Sequence, residues 1–123
     1  MIKIENVCVN YNKVQALNNI NLNLHNGQNL SIIGPNGCGK TTLLKCICNN
    51  IDFKGNIYVD NKNIKSLKRK ELAKKVGMLS QLMSISFNYS VFDTVLMGRY
   101  VHQDKFLINN SKKDIDIVKK SLE

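Results

Sequence analysis

The chain opens on two short runs of alternating apolar and polar residues that are out of phase with each other. Ile2 and Ile4 form the first run, Val7 and Val9 the second, and the phase changes near Glu5-Asn6. Together the two runs suggest a first strand with a change of phase. Tyr11 and a polar turn at Asn12-Lys13 follow. Ile20, Leu22 and Leu24 then alternate with Asn21 and Asn23, predicting a second half-buried strand that ends at the Asn26-Gly27 turn signal. Gln28 to Ile33 reads as a third strand, and its continuous apolar end suits a buried position. The pattern then predicts a helix from Thr41 to about Asn49. Gly55 to Val59 is predicted as a strand with Ile57 and Val59 inward, turning at Asp60-Asn61.

Farther on, Ser66 is expected to cap a helix running to about Lys74, with Leu67, Leu72 and Ala73 on its apolar side. Val76 to Leu79 is expected as a short strand. Ser90-Val91-Phe92-Asp93 has the spelling of a capping box and opens a helix to about Tyr100. Ser111 to Asp114 is a second such start, followed by Ile115, Val118 and Leu122 at helical spacing. Strands dominate the first half, strands and helices alternate in the middle, and the last third is helical. This order predicts an antiparallel β layer against an α/β core, then a helical piece.

One stretch carries explicit chemistry. Residues 34 to 42 read Gly34-Pro35-Asn36-Gly37-Cys38-Gly39-Lys40-Thr41-Thr42. This is the P-loop pattern, placed between a predicted strand and a predicted helix, the context in which the motif is meaningful. A phosphate chain wrapped by backbone N–H groups needs side chains removed where the backbone closes in. Gly34, Gly37 and Gly39 provide that room and tolerate positive φ. A helix beginning near Lys40 would aim its N-terminal amides and positive dipole end at the anion. Lys40 can reach the terminal phosphates of a nucleotide, the Thr41 hydroxyl can bind Mg²⁺, and Thr42 is placed to touch the α-phosphate.

Composition changes this picture little. The chain has 123 residues, of which 43% are hydrophobic and 22% charged, the range of a globular domain. Lys and Arg total 18 against 9 acidic residues, a formal charge of +9. Seven cations lie between Lys62 and Lys75, where a solvated face is the ordinary explanation and an anionic partner the alternative. No basic groove studded with aromatic residues is present, so nucleic acid is not an expected partner. The four cysteines, Cys8, Cys38, Cys46 and Cys48, form no C-x-x-C pair and are expected as free thiols. Cys46 and Cys48 are expected to be small buried residues on the P-loop helix, and Met78, Met83 and Met97 core or interface filler. The start of the chain has no signal-peptide layout, and the longest uncharged stretch, Val76 to Phe92, is too polar to span a bilayer.

Several separated pieces together resemble the ATP-binding subunits of ABC transporters. Tyr11 matches the aromatic residue that this family places before the P-loop to stack on adenine. Gly34 to Thr42 matches the family's spelling of Walker A. Lys54 to Val59 matches its hairpin, and Val76 to Gln81 matches the strand ending at the Q-loop glutamine. The segment Ser90 to Tyr100 is similar to one found in importers of ferric siderophores, haem and vitamin B12, although Val101-His102 stands where Pro-His is common. The resemblance implies an α/β P-loop NTPase of the ABC ATPase type, with an antiparallel β subdomain and the start of a helical subdomain. It divides the chain into residues 1–82 and 83–123.

The resemblance also implies the site. Tyr11 and Gly34, Pro35, Asn36, Gly37, Cys38, Gly39, Lys40, Thr41 and Thr42 would bind ATP. Thr41 and Gln81 would hold Mg²⁺, and Lys40 and Gln81 would act in catalysis. A neutral amide on a movable loop suits the last role. Arg99 is expected either at the surface or against a membrane subunit. The implied partners are the membrane-spanning permease subunits and a second copy of the ATPase subunit, and the implied location is the cytoplasmic face of the cell membrane.

Within these 123 residues no LSGGQ-type signature and no apolar strand ending in Asp-Glu is present. The chain is therefore expected to correspond to about the first half of the family's domain, with an incomplete core sheet. The alternative to an ATPase is a nucleotide-binding module without hydrolysis. A guanine-reading N-K-x-D pattern is absent, which argues against a GTPase.

Overall fold

A computed structural model of the chain describes residues 1–80, 88–102 and 112–123. Its strands and helices are β1 (Ile2–Tyr11), β2 (Val14–Leu24), α1 (Lys40–Ile47), β3 (Lys54–Val59), β4 (Lys62–Asn63), α2 (Arg69–Ala73), α3 (Val91–Met97) and α4 (Lys112–Leu122). The chain divides into two compact units, Met1–Met78 and Leu79–Glu123.

The first unit is built on an antiparallel sheet of order β2-β1-β3-β4. The phase change expected near Glu5-Asn6 is a β-bulge. β1 advances from Ile4 to Val7 while β2 recedes only from Leu22 to Ile20, and Asn6 takes φ 52°. The extra residue turns Ile4, Val7 and Val9 to the same face, where all three are buried. A compensating bulge lies in β2, where Asn19 takes φ 50° and its N–H donates to Cys8 Sγ. Asparagine suits both sites because it tolerates the left-handed region better than other non-glycine residues. Asp60 and Asn61, both at positive φ, make the turn between β3 and β4, the pattern of a type I′ hairpin. As expected, Ile57 and Val59 of β3 point inward.

The inner face of the sheet packs on Leu43 and Cys46 of α1, and on Phe53, Ile64 and Leu72. Leu43 and Cys46 are three residues apart and so share one face of the helix. Burial pushes the Cys46 thiol up to about 11, which keeps it protonated and unreactive. Cys48, expected to be buried, is only partly so, because it is the C-cap of α1. Asn49 follows at φ 53°. Its N–H donates to Cys46 O and that of Asn50 to Lys45 O, which closes α1 in a Schellman motif.

The structure corrects three expected elements. Gln28 to Ile33 forms no strand: Leu30, Ile32 and Ile33 are exposed, Ile33 by 92%. No described strand lies beside this segment to take its hydrogen bonds, and apolar character alone does not make a strand. Val76 to Leu79 is not a strand either, for the same reason, and Leu79 is 87% exposed. Ser66 does not cap α2. Its hydroxyl donates back to Asn63 O at the end of a 3-10 turn, and the helix starts after Lys68, whose N–H donates to Glu71 Oε2. The basic run is also partly tied down. Lys65 Nζ donates to Phe53 O and Gly55 O and lies 4.3 Å from the centre of the Phe53 ring, and Lys75 pairs with Asp60.

In the second unit the expected capping box is present. Ser90 Oγ accepts from the Asp93 N–H at 3.1 Å, and Asp93 Oδ2 accepts from the Ser90 N–H. Replacing Ser90 with alanine should cost about 1 kcal/mol, read as a lower melting temperature by circular dichroism. α3 passes into a 3-10 segment, Gly98–His102, that carries Arg99. Arg99 Nε donates to Asp114 Oδ1 of α4 at 2.9 Å, with both side chains largely covered. Arg99 thus ties two elements of its own unit together. Val118 is buried, but Leu122 and Met97 are about half exposed. Gln81, Leu82, Met83 and Ser111 lie outside the described residues.

Candidate phosphate-binding site

The loop from Gly34 to Gly39 leads into α1, which begins at Lys40. Pro35 to Cys38 form a turn in which the Cys38 N–H donates to Pro35 O at 3.4 Å. Gly37 takes φ 82° at the third position of that turn, where a positive φ favours glycine. Gly39 is the N-cap residue at φ 98°, and a Cβ there would lie 2.5 Å from Ala16 O of β2. The loop therefore rests on β2 at a point only glycine can occupy. Gly39→Ala should push the loop off β2. The expected result is a loss of nucleotide affinity of about tenfold or more, measured by calorimetry, from strain of about 1–2 kcal/mol plus the displacement.

Lys40 folds its side chain back over the loop. Its ammonium donates to Gly34 O at 2.8 Å and Pro35 O at 2.7 Å, and stands 3.7 Å from Cys38 Sγ. These contacts place one positive charge within the ring of backbone. The stretch from Gly34 to Thr42 has no carboxylate, and the first turn of α1 carries no acidic residue. The N-cap glycine has no side chain with which to cap the helix. The first N–H groups of α1 thus have neither an intrahelical acceptor nor a side-chain cap. The donors, the cation and the absence of acids fit a phosphate group. Thr41 is exposed on the first turn of α1 and Thr42 is partly buried.

Tyr11 ends β1 and pairs with Val14 across the hairpin turn. Both side chains are exposed, and Ala16, two residues along β2 from Val14, is where Gly39 packs. The hairpin tip and the phosphate loop are thus joined through β2. The seat provided by Ala16 and Leu17 had no signal in the local sequence, because the contact links residues more than twenty positions apart. Among the described residues no group of three His, Cys, Asp or Glu side chains could hold a metal. No helix among them is long and apolar enough to cross a membrane.

The profile of the family described as ABC transporter matches residues 17–123. The chain belongs to that family. It corresponds to the N-terminal portion of the ATP-binding domain. It is 42% identical, over its whole length, to the uncharacterized ABC transporter ATP-binding protein MJ0089 of Methanocaldococcus jannaschii, covering 47% of that protein. It is 32% identical to the ferric enterobactin transport ATP-binding protein FepC of Escherichia coli, over 97% of this chain and 44% of FepC. The chain thus spans about half the length of these curated relatives. Among solved structures it superposes on the ATP-binding cassette MJ0796 in a dimeric post-hydrolysis state bound to ADP and Pi. The TM-score is 0.79 at 26% identity, covering 99% of this chain and 56% of that one. Family members of this type bind ATP or ADP. The chain therefore has the fold of a portion of the ABC ATP-binding domain, with its antiparallel β subdomain and some of its helices.

Proposed function

We propose that this ABC ATP-binding domain grips MgATP through Tyr11 and Gly34 to Thr42, and that the complete protein hydrolyses it to drive an importer. The observation that carries the reading is the Lys40 ammonium held over a glycine loop at the uncapped start of α1. In this reading the amides of the loop and of the first helical turn wrap the β-phosphate, while Lys40 offsets charge on the terminal phosphate. Thr41 is the metal-binding hydroxyl, and Gln81 supplies a second oxygen and positions the attacking water. Mg²⁺, when bound, would neutralise phosphate charge. Tyr11 stacks on adenine, a contact worth about 1–3 kcal/mol per base.

The finer reading is that residues 1–82 form the β subdomain and P-loop core, and residues 83–123 the start of the helical subdomain, of a cytoplasmic subunit. That subunit would dimerise with a second copy and dock on membrane-spanning permease subunits. The dimeric form of the MJ0796 cassette supports the pairing. The Ser90–Tyr100 segment and the similarity to FepC support an iron-chelate, haem or cobalamin cargo. Calorimetry with MgATP tests the binding: saturable heat is expected, and its absence in a folded sample overturns the reading. Phosphate release from this chain beside a full-length relative tests whether it hydrolyses ATP by itself. Growth on a ferric siderophore after deletion of the gene tests the cargo.

A further inference from the structure

The chain contains two Asn-Gly pairs in loops of the first unit, Asn26-Gly27 and Asn36-Gly37, and the structure treats them differently. Asn26 Oδ1 accepts a hydrogen bond from the amino group of Met1, so its amide is held. Asn36 is exposed, and its side chain has no hydrogen-bond partner among the described residues. The Gly37 N–H donates no hydrogen bond there either. A Cβ at Gly37, as at Gly27, would meet nothing within 4 Å, so the two pairs differ in how the asparagine side chain is held and not in the space beside the glycine. We infer that Asn36 is a site of spontaneous deamidation, and that the carboxylate formed there shuts the phosphate loop.

The chemistry needs only water. The Gly37 backbone nitrogen loses its proton and attacks Asn36 Cγ. The new N–Cγ bond closes a five-membered succinimide, the Cγ–Nδ2 bond breaks, and Nδ2 leaves as ammonia carrying the displaced proton. Water then adds to one of the two ring carbonyls. Opening at Cγ leaves aspartate with the original backbone. Opening at the main-chain carbonyl leaves isoaspartate, with one extra carbon in the backbone. A following glycine favours ring closure because no side chain hinders the attacking nitrogen. Both products place a negative charge beside Lys40 in a loop that otherwise has none. The isoaspartate product also lengthens the turn that holds Gly37 in position.

The consequence for binding rests on the proposed function, whereas the reaction itself does not. If the loop wraps a phosphate, the Gly37 N–H becomes a donor to it, and the nitrogen that would attack is held. Bound MgATP should therefore slow the reaction.

The test incubates the folded chain in mildly alkaline buffer, with and without MgATP, beside a sample unfolded in urea. Peptide mapping follows the amide-to-acid mass change at both pairs. In urea the two pairs should react at similar rates. In the folded chain Asn36 should react on the order of fivefold faster than Asn26, since both pairs sit in hydrogen-bonded turns but only the Asn26 side chain is held, by Met1. Equal rates, or a faster Asn26, would overturn the assignment. Aged protein and Asn36→Asp should both bind MgATP on the order of tenfold more weakly, from one added charge near the phosphates. Undiminished affinity in both would refute the closure of the loop. Fast Asn36 reaction in a fresh chain that never binds MgATP would keep the modification site and remove the nucleotide reading.

Discussion

Lys40→Ala should reduce MgATP affinity by at least about 100-fold, equivalent to about 2.7 kcal/mol. Two effects add. The charge that faces the phosphates disappears, and a charged hydrogen bond is worth about 1.5–3 kcal/mol. The carbonyls of Gly34 and Pro35 also lose their shared donor, so the loop loses the tie that shapes it. Lys40→Arg should rescue poorly, because a planar guanidinium is too wide to sit over both carbonyls in the same way. Titration calorimetry on the two variants and the parent gives the comparison. Retention of parental affinity by Lys40→Ala would contradict the assignment of the loop as the phosphate cradle. The variant should keep the parental circular dichroism spectrum, since Lys40 contacts the loop and not the buried face of the sheet.

Gly55→Ala should be the most damaging single methyl group in the first unit. Gly55 lies in β3 opposite the β1 bulge at φ 91°. A Cβ there would lie 2.4 Å from Asn6 O and 2.5 Å from Glu5 O, both backbone atoms that cannot rotate away. β3 must move off β1, or the bulge must open and turn Val7 and Val9 away from the core. The expected loss is about 3 kcal/mol or more, at the upper end of single-residue effects. Gly27→Ala is the control. Gly27 has a similar φ of 79° but nothing within 4 Å of the added atom, so only the conformational strain of about 1–2 kcal/mol remains. Urea unfolding of both variants separates the two contributions, and equal losses would show that packing against the bulge contributes nothing.

How much of this fold could be read from the residues depends on how far apart the interacting groups lie. The change of phase is legible because the alternation of Ile2 and Ile4 shifts to that of Val7 and Val9 within one strand, and the structure realises it as a bulge. The Ser90–Asp93 cap was legible because its hydrogen bonds span three residues. The segments 28–33 and 76–79 depart from the expected strands because a strand is defined by its neighbours. Their apolar composition describes a buried environment that the described residues do not provide. Ser66 departs from the expected cap because Ser and Thr near a helix start can turn backward as well as forward, and here the hydroxyl serves the preceding 3-10 turn. Arg99 pairs with Asp114, fifteen residues later, a partner that no local pattern marks.

By itself the sequence determined the spelling of the loop. Three glycines, a lysine and two threonines at fixed spacing are the pattern expected of an anion cradle, because the requirement for bare backbone is local and visible in residue type. Only the tertiary structure decided what supports that cradle. Gly39 packs against Ala16 O, and Lys40 bends onto Gly34 and Pro35. The first of these supports comes from a hairpin more than twenty residues away, and no local pattern encodes which backbone atom a glycine will touch.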